Sequence, residues 1–188
     1  VPEIPHGEDE LVRRIYAAYE REEVTARPAR LSRLGASTIG DECLRRLFFS
    51  WRGYAKETFS GQMLRLFQTG HREEDRIIAD LRATGLAVWD RDEDTGEQFT
   101  YTDETGHFVA KLDGVVRGVP DAEKTPHTLE VKTHNDKSFK SLVKDGVRVS
   151  KIYHYAQMQA GLWLSGLKRA LYVAVNKNDE AYYIERVR

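Results

Sequence analysis

Apolar positions recur at helical spacing in the first part of the chain and alternate with polar ones in the middle. Over residues 8–23, Leu11, Val12, Ile15, Tyr16 and Tyr19 fall on one side of a helix, and Arg27-Pro28 closes the pattern. A second helix is expected over about 40–49, with Asp41 near its start and Leu44, Leu47 and Phe48 as its apolar side. A third spans about 61–84, with a break at Gly70 and with Gly85 as the glycine just past its end. Residues 90–95 form a polar turn. Alternation then makes strands of 98–102, 107–118 and 128–133, and Asp103-Glu104-Thr105-Gly106 is the hairpin turn between the first two. A basic loop follows, then a helix over about 151–165 closed near Gly166. The chain finishes with an apolar strand at 170–175, a turn at 176–180 and an edge strand at 181–187.

That order predicts an α/β protein of the α+β kind, a central mixed sheet flanked by helices with an N-terminal helical region. No repeat or linker divides the 188 residues, so one domain is expected: 1–69 mainly helical, 70–188 the core. With 40% apolar and 31% charged residues and no apolar run near the roughly 18 residues that span a bilayer, the composition is globular and no membrane partner is expected. No leader pattern opens the sequence, and Cys43 is the one cysteine, so the expected setting is cytoplasmic. A single cysteine also leaves a four-cysteine iron–sulfur or zinc site in this chain without ligands.

The candidate chemistry lies in the strands. Period two puts Glu130 and Lys132 on one face of 128–133, and Leu129, Val131 and Thr133 on the other. Should the strand ending at Leu112-Asp113-Gly114 pair with it, Asp113 and Glu130 would share a divalent cation, with Lys132 beside a bound water or phosphate oxygen. The residues alone also allow a solvated strand and an ordinary Asp-Gly turn. On the 61–84 helix, Glu74 would sit near Asp113 while Ile77, Ile78 and Leu81 pack on the sheet, with His71 three residues away on nearly the same face. A surface role for the His71–Glu74 pair fits that spacing equally well.

Net charge is −1, but it is unevenly spread. Residues 27–56 carry Arg27, Arg30, Arg33, Arg45, Arg46, Arg52 and Lys56 against two acidic residues. Residues 132–151 carry Lys132, Lys137, Lys140, Lys144, Arg148 and Lys151, also against two. The two segments would suit a phosphate backbone, and a lysine-rich solvated loop beside an arginine-bearing helix is the plainer alternative. Tyr54, Phe59 and Phe139 are candidates for stacking on frayed bases, or are simply core or surface aromatics.

Taken in order, residues 33–49, Gly70-His71-Arg72-Glu73-Glu74, Leu112-Asp113-Gly114, Glu130-Val131-Lys132 and residues 153–160 resemble a RecB-type nuclease of the PD-(D/E)xK superfamily. The likeness is greatest to phage-type exonucleases related to lambda exonuclease and to the YqaJ recombinases. The resemblance implies a restriction-endonuclease-like core and a Mg²⁺- or Mn²⁺-dependent DNA exonuclease of recombination, repair or phage DNA metabolism, in a bacterial or phage-infected cell. Asp113, Glu130, Lys132, Glu74 and Gln157 would be the catalytic set. Asp113, Glu130 and the Val131 carbonyl would hold the metal, with Glu74 and His71 as further candidates, and Arg33, Arg45, Arg46, Arg52, Lys137, Lys140, Lys144, Arg148 and Lys151 would bind DNA. A structure-specific endonuclease and a catalytically inactive DNA-binding module are the alternatives, and a homo-oligomer or a recombination or replication partner protein is compatible with all three. Two departures stand out. The tyrosine usual four residues after the glutamine is Gly161, and only Cys43 matches the cysteines of iron–sulfur relatives, so no cluster and a buried structural thiol are expected.

Overall fold

The computed structural model describes residues 9–26, 33–54 and 58–188. Arg27, Pro28, Arg30 and Lys56, part of the first basic segment, lie outside them. The elements in order are α1 (Glu10–Ala26), β1 (Leu34–Gly35), a 3-10 turn (Ala36–Thr38), α2 (Leu44–Trp51), α3 (Gly61–Ala83), β2 (Ala87–Trp89), β3 (Thr100–Thr102), β4 (Phe108–Lys111), β5 (Gly114–Arg117), β6 (His127–His134), α4 (Asp136–Ser150), α5 (Ile152–Ser165), β7 (Ala170–Asn176) and β8 (Tyr182–Val187).

β6 and β7 are the centre of a mixed five-stranded sheet in the order β2-β5-β6-β7-β8; β6 and β7 run parallel and the other neighbours antiparallel. Strict alternation splits its core in two. Leu129, Val131, Leu171, Val173 and Val175 meet Ile77, Ile78 and Leu81 of α3 on one face. Tyr172, Ala170 and Ala174 meet Phe139 and Leu142 of α4 and Met158 and Leu162 of α5 on the other. A small second sheet, β1-β4-β3, lies beside it.

Four expectations need correction. α3 runs unbroken through Gly70, because one glycine costs a helix only about 1 kcal/mol and the buried Ile77, Ile78 and Leu81 hold the rest in place; the division at residue 69 therefore falls inside a helix. Residues 107–118 are two strands in two different sheets, separated at Leu112-Asp113. The basic loop after 133 is α4: Asn135 caps it by accepting from Ser138 N at 2.8 Å, and Phe139, Leu142 and Val147 are buried while Lys137, Lys140 and Lys144 face outward. Phe139 is therefore core and not a stacking surface. Cys43, expected to be buried, is exposed at the start of α2, whose inward residue is Leu47.

A Cβ at Gly161 would lie 2.9 Å from Leu112 Cδ2, so α5 is seated against the passage between β4 and β5.

Candidate active site

The passage from β4 to β5 positions Asp113. Gly114 approaches the Trp89 carbonyl so closely that a Cβ would sit 2.7 Å from it, which lets the chain turn from one sheet into the other. β5 pairs with β6 no further than Leu129, and the next N–H of that kind along β6, on Val131, is taken by the Asp113 carboxylate: Val131 N donates to Oδ2 at 2.8 Å. Sequence position thus becomes geometry. Asp113 sits against the strand carrying Glu130 and Lys132.

Glu130 is buried on the α5 side of β6. Its Oε1 is in ion-pair contact with Lys132 Nζ, and no other donor among the described residues reaches this buried oxygen. Lys132 Nζ also donates to the Val131 carbonyl at 3.1 Å and lies 3.9 Å from Asp113 Oδ2. Burial pushes the Glu130 carboxyl up to about 7, even with Lys132 beside it. Burial opposes the charge on Lys132 as well, yet the Glu130 and Asp113 carboxylates outweigh it and hold the ammonium above its usual range.

Glu74 projects from α3 into the same region. Burial, followed by the charge of Asp113, raises it to about 7. His71 Nδ1 is 3.9 Å from Glu74 Oε2, beyond hydrogen-bond reach, and its side chain is 78% exposed at the rim. Glu73 pairs with Arg76 instead.

Two cavities meet here. One of about 790 Å³ includes His71, Glu74, Asp113, Val131, Lys132 and Gln157 in its lining, together with Tyr153, His154 and Lys177. The other, about 600 Å³, includes Arg33, Thr38, Trp51, Gln98 and Lys111. Ser37, Asp113 and Gln157 line both. The sequence-predicted residues Glu74, Asp113, Val131, Lys132, Gln157 and His71 are therefore brought to one place, with Glu130 buried beside them.

The basic residues are less concentrated. Arg33 lines the second cavity, whereas Arg45 lies over the Phe49 ring, Arg52 over Trp51 and Arg148 over Tyr155, at 5.5, 5.7 and 5.6 Å to the centroids. Arg46 pairs with Asp41, and Lys140 with Asp136 at 2.7 Å. Lys137 and Lys144 are exposed on α4, and Lys151 is half-buried where α4 meets α5. The basic residues that sequence reasoning missed are Lys111 and Lys177. It also missed His154, although one helical turn separates it from Gln157, a spacing that puts both on one face.

Could the site hold a divalent ion? Among the described residues no three His, Cys, Asp or Glu side chains are arranged as a ligand group. What is present is a pair of carboxylates, Asp113 and the buried Glu130, and the Val131 carbonyl oxygen, all converging on one cation, the Lys132 ammonium. That oxygen-only donor set fits Mg²⁺ or Mn²⁺, ions that accept one or two carboxylates and fill the remaining positions with water and phosphate oxygens.

No protein-family model matches the chain, and no curated protein matches it. Solved structures do. The chain is similar to LHK-Exo in complex with dAMP, with 19% identity and a TM-score of 0.58 over 93% of this chain and 80% of that one. It is also similar to a second structure of that alkaline exonuclease, from Laribacter hongkongensis, with 20% identity and a TM-score of 0.57 over 91% and 81%. These likenesses are of fold: the chain has a restriction-endonuclease-like core, a central mixed sheet flanked by helices.

Proposed function

We propose that this chain is a Mg²⁺- or Mn²⁺-dependent deoxyribonuclease acting at DNA ends, of the RecB and lambda exonuclease type within the PD-(D/E)xK superfamily. The observation that carries the reading is the convergence of Asp113, Glu130 and the Val131 carbonyl on one cation position, with Lys132 beside them, at the junction of two cavities. Asp113, Glu130 and the Val131 carbonyl are the residues that would hold the ion, with Glu74 at the edge, directly or through water. Bound there, the ion supplies an acidified water and neutralises charge on the phosphate.

The chain's own groups do the rest. Lys132 orients the attacking water or faces the developing oxyanion, where a fixed cation acts most strongly. Gln157, on the wall shared by the two cavities, holds a phosphate oxygen or a water. Arg33, Lys111 and the Ser37 and Thr38 side chains give the smaller cavity a lining suited to a strand terminus, and Lys177 adds positive charge to the larger one. Arg45, Arg46, Arg52, Lys137, Lys140, Lys144, Arg148 and Lys151 would extend the contact along the backbone without reading sequence. His71 stands at the rim, and its place among the ligands is tested by the metal preference of His71→Ala.

Preference for ends draws support from the shared fold with a protein described as an alkaline exonuclease and crystallised with dAMP. The decisive assay compares covalently closed circular DNA with the same DNA linearised, in Mg²⁺. Digestion of the linear form alone, abolished by EDTA, is expected; equal digestion of both removes the end requirement, and no digestion of either removes the nuclease.

A further inference from the structure

Beside the catalytic row, on the same face of the sheet, three side chains outside the proposed catalytic set form one hydrogen-bonded chain. Tyr172 of β7, in register with Glu130, is fully buried, and its hydroxyl meets His134 Nε2 at 2.9 Å and His154 Nδ1 at 2.8 Å. His134 Nδ1 meets Ser138 Oγ at 3.1 Å. A phenol has one proton, so it donates to one imidazole and accepts from the other. Burial, helped by nearby lysines, lowers His134 to about 4 and His154 to about 3, so both rings are neutral at pH 7 with one N–H each.

The directions of these bonds are therefore tied together. When Ser138 donates to His134 Nδ1, the His134 proton sits on Nε2 and points at the Tyr172 oxygen. Tyr172 then donates to His154 Nδ1, and the His154 proton is left on Nε2. Reversing the Ser138 hydroxyl reverses every bond and leaves a lone pair on Nε2 instead.

His154 Nε2 is the open end. The residue lines the larger cavity with Lys132 and Gln157, and Nε2 neither makes a hydrogen bond among the described residues nor is buried without one. A neutral N–H has a specific advantage there. An imidazolium would compete for the Asp113 and Glu130 carboxylates, whereas a neutral ring donates to an anionic oxygen and leaves those carboxylates to a metal.

Resting on the nuclease reading above, we propose that His154 is a further substrate-contacting residue, its Nε2–H donating to a non-bridging oxygen of the phosphodiester, and that Tyr172 and His134 are positioning residues that hold its ring and couple its tautomer to the Ser138 hydroxyl, the Nε2–H form being the one in which Ser138 donates. This adds a neutral donor to the charged groups already placed at the site. Such a donor acts on the phosphate as negative charge builds on it.

The test uses the whole chain, linear duplex DNA and Mg²⁺, with kcat, KM and thermal midpoint read together. His154→Ala should lose on the order of 10²-fold in kcat with little change in KM, free imidazole in the buffer should restore part of it, and His154→Gln, which keeps an amide N–H, should lose less. Tyr172→Phe keeps the ring but not the hydroxyl; roughly tenfold is expected to go from kcat, with no rescue by imidazole because the His154 ring is still in place. A wild-type rate in His154→Ala overturns the proposal. So does a loss shared equally by Ala and Gln that imidazole leaves unrepaired, which would make the ring structural only. If His154→Ala does not fold, His154→Gln and Tyr172→Phe decide, and wild-type kcat in both overturns it. The wild-type arm is read first: without metal-dependent cleavage there, the nuclease reading itself falls and takes this one with it.

Discussion

The two faces of β6 face different neighbours and meet different physical demands. Toward α3, Leu129 and Val131 lie in a buried apolar layer with Ile77, Ile78 and Leu81. Toward α5, the same strand carries Glu130, Lys132 and His134, a polar row in which Glu130 and His134 are buried and Lys132 is half-buried at the cavity. The first face repays the entropy of ordering the sheet. The second works against it, since burying charge is costly even when paired. A strand one residue out of register would exchange these surfaces, so the apolar face fixes the alignment that the polar face needs.

Substitutions separate the two roles. The largest effect is expected for Asp113→Asn. The amide oxygen can still accept from Val131 N while the charge is gone, so DNA cleavage in saturating Mg²⁺ should fall by at least about 10²–10³-fold, the loss that a single missing oxyanion donor already causes, with the thermal transition nearly unmoved. Retained wild-type turnover would remove Asp113 from the chemistry. On the other face, Leu129→Ala should cost roughly 2–5 kcal/mol in urea denaturation, with cleavage per folded molecule preserved.

Replacing the pair itself sharpens the contrast. Glu130→Leu together with Lys132→Met removes a buried ion pair without leaving either partner alone, so stability should stay level or rise by about 1–4 kcal/mol while cleavage disappears. A strongly destabilised double variant would mean that the pair holds the fold together.

The smallest effect is in pH dependence. His134 and His154 have pKa values lowered to about 4 and about 3, while the unfolded chain binds those protons near 6.5. Their contribution is therefore present above 6.5 and is lost as pH falls toward 4. Glu130 and Glu74, raised to about 7, act with the opposite sign in metal-free protein: their contribution is full below about 4.5 and lost as pH rises through 7. The difference between wild type and His134→Gln isolates the first effect. Between pH 7 and pH 5 the variant should lose less of its urea midpoint than wild type, and parallel losses would deny His134 its part.

How legible each region was follows from the range over which its signals act. The alternation of 128–133 needed only neighbouring residues, and Gly85 and Gly166 mark helix ends through their positive φ. β2, three residues long, has too few positions to show a period. α4 was hidden by its lysines: Phe139, Leu142 and Val147 carry the apolar spacing, while exposed Val143 and Val149 blur it. The turn at Asp113 depends on the Trp89 carbonyl, distant in sequence. His134 and His154 could not be read as partners, because what joins them is Tyr172, 38 and 18 residues away.

The Lys132 ammonium, set among Glu130 Oε1, the Val131 carbonyl and Asp113 Oδ2, has a consequence for the order of assembly. A nest of carboxylates ordinarily repels itself until a cation arrives, which makes folding wait for loading. Here the counter-ion is covalently part of the chain. On the proposed metal-dependent reading, the protein would fold in a chelator and take up an ion afterwards, by exchange with a tethered charge that is displaced but never lost.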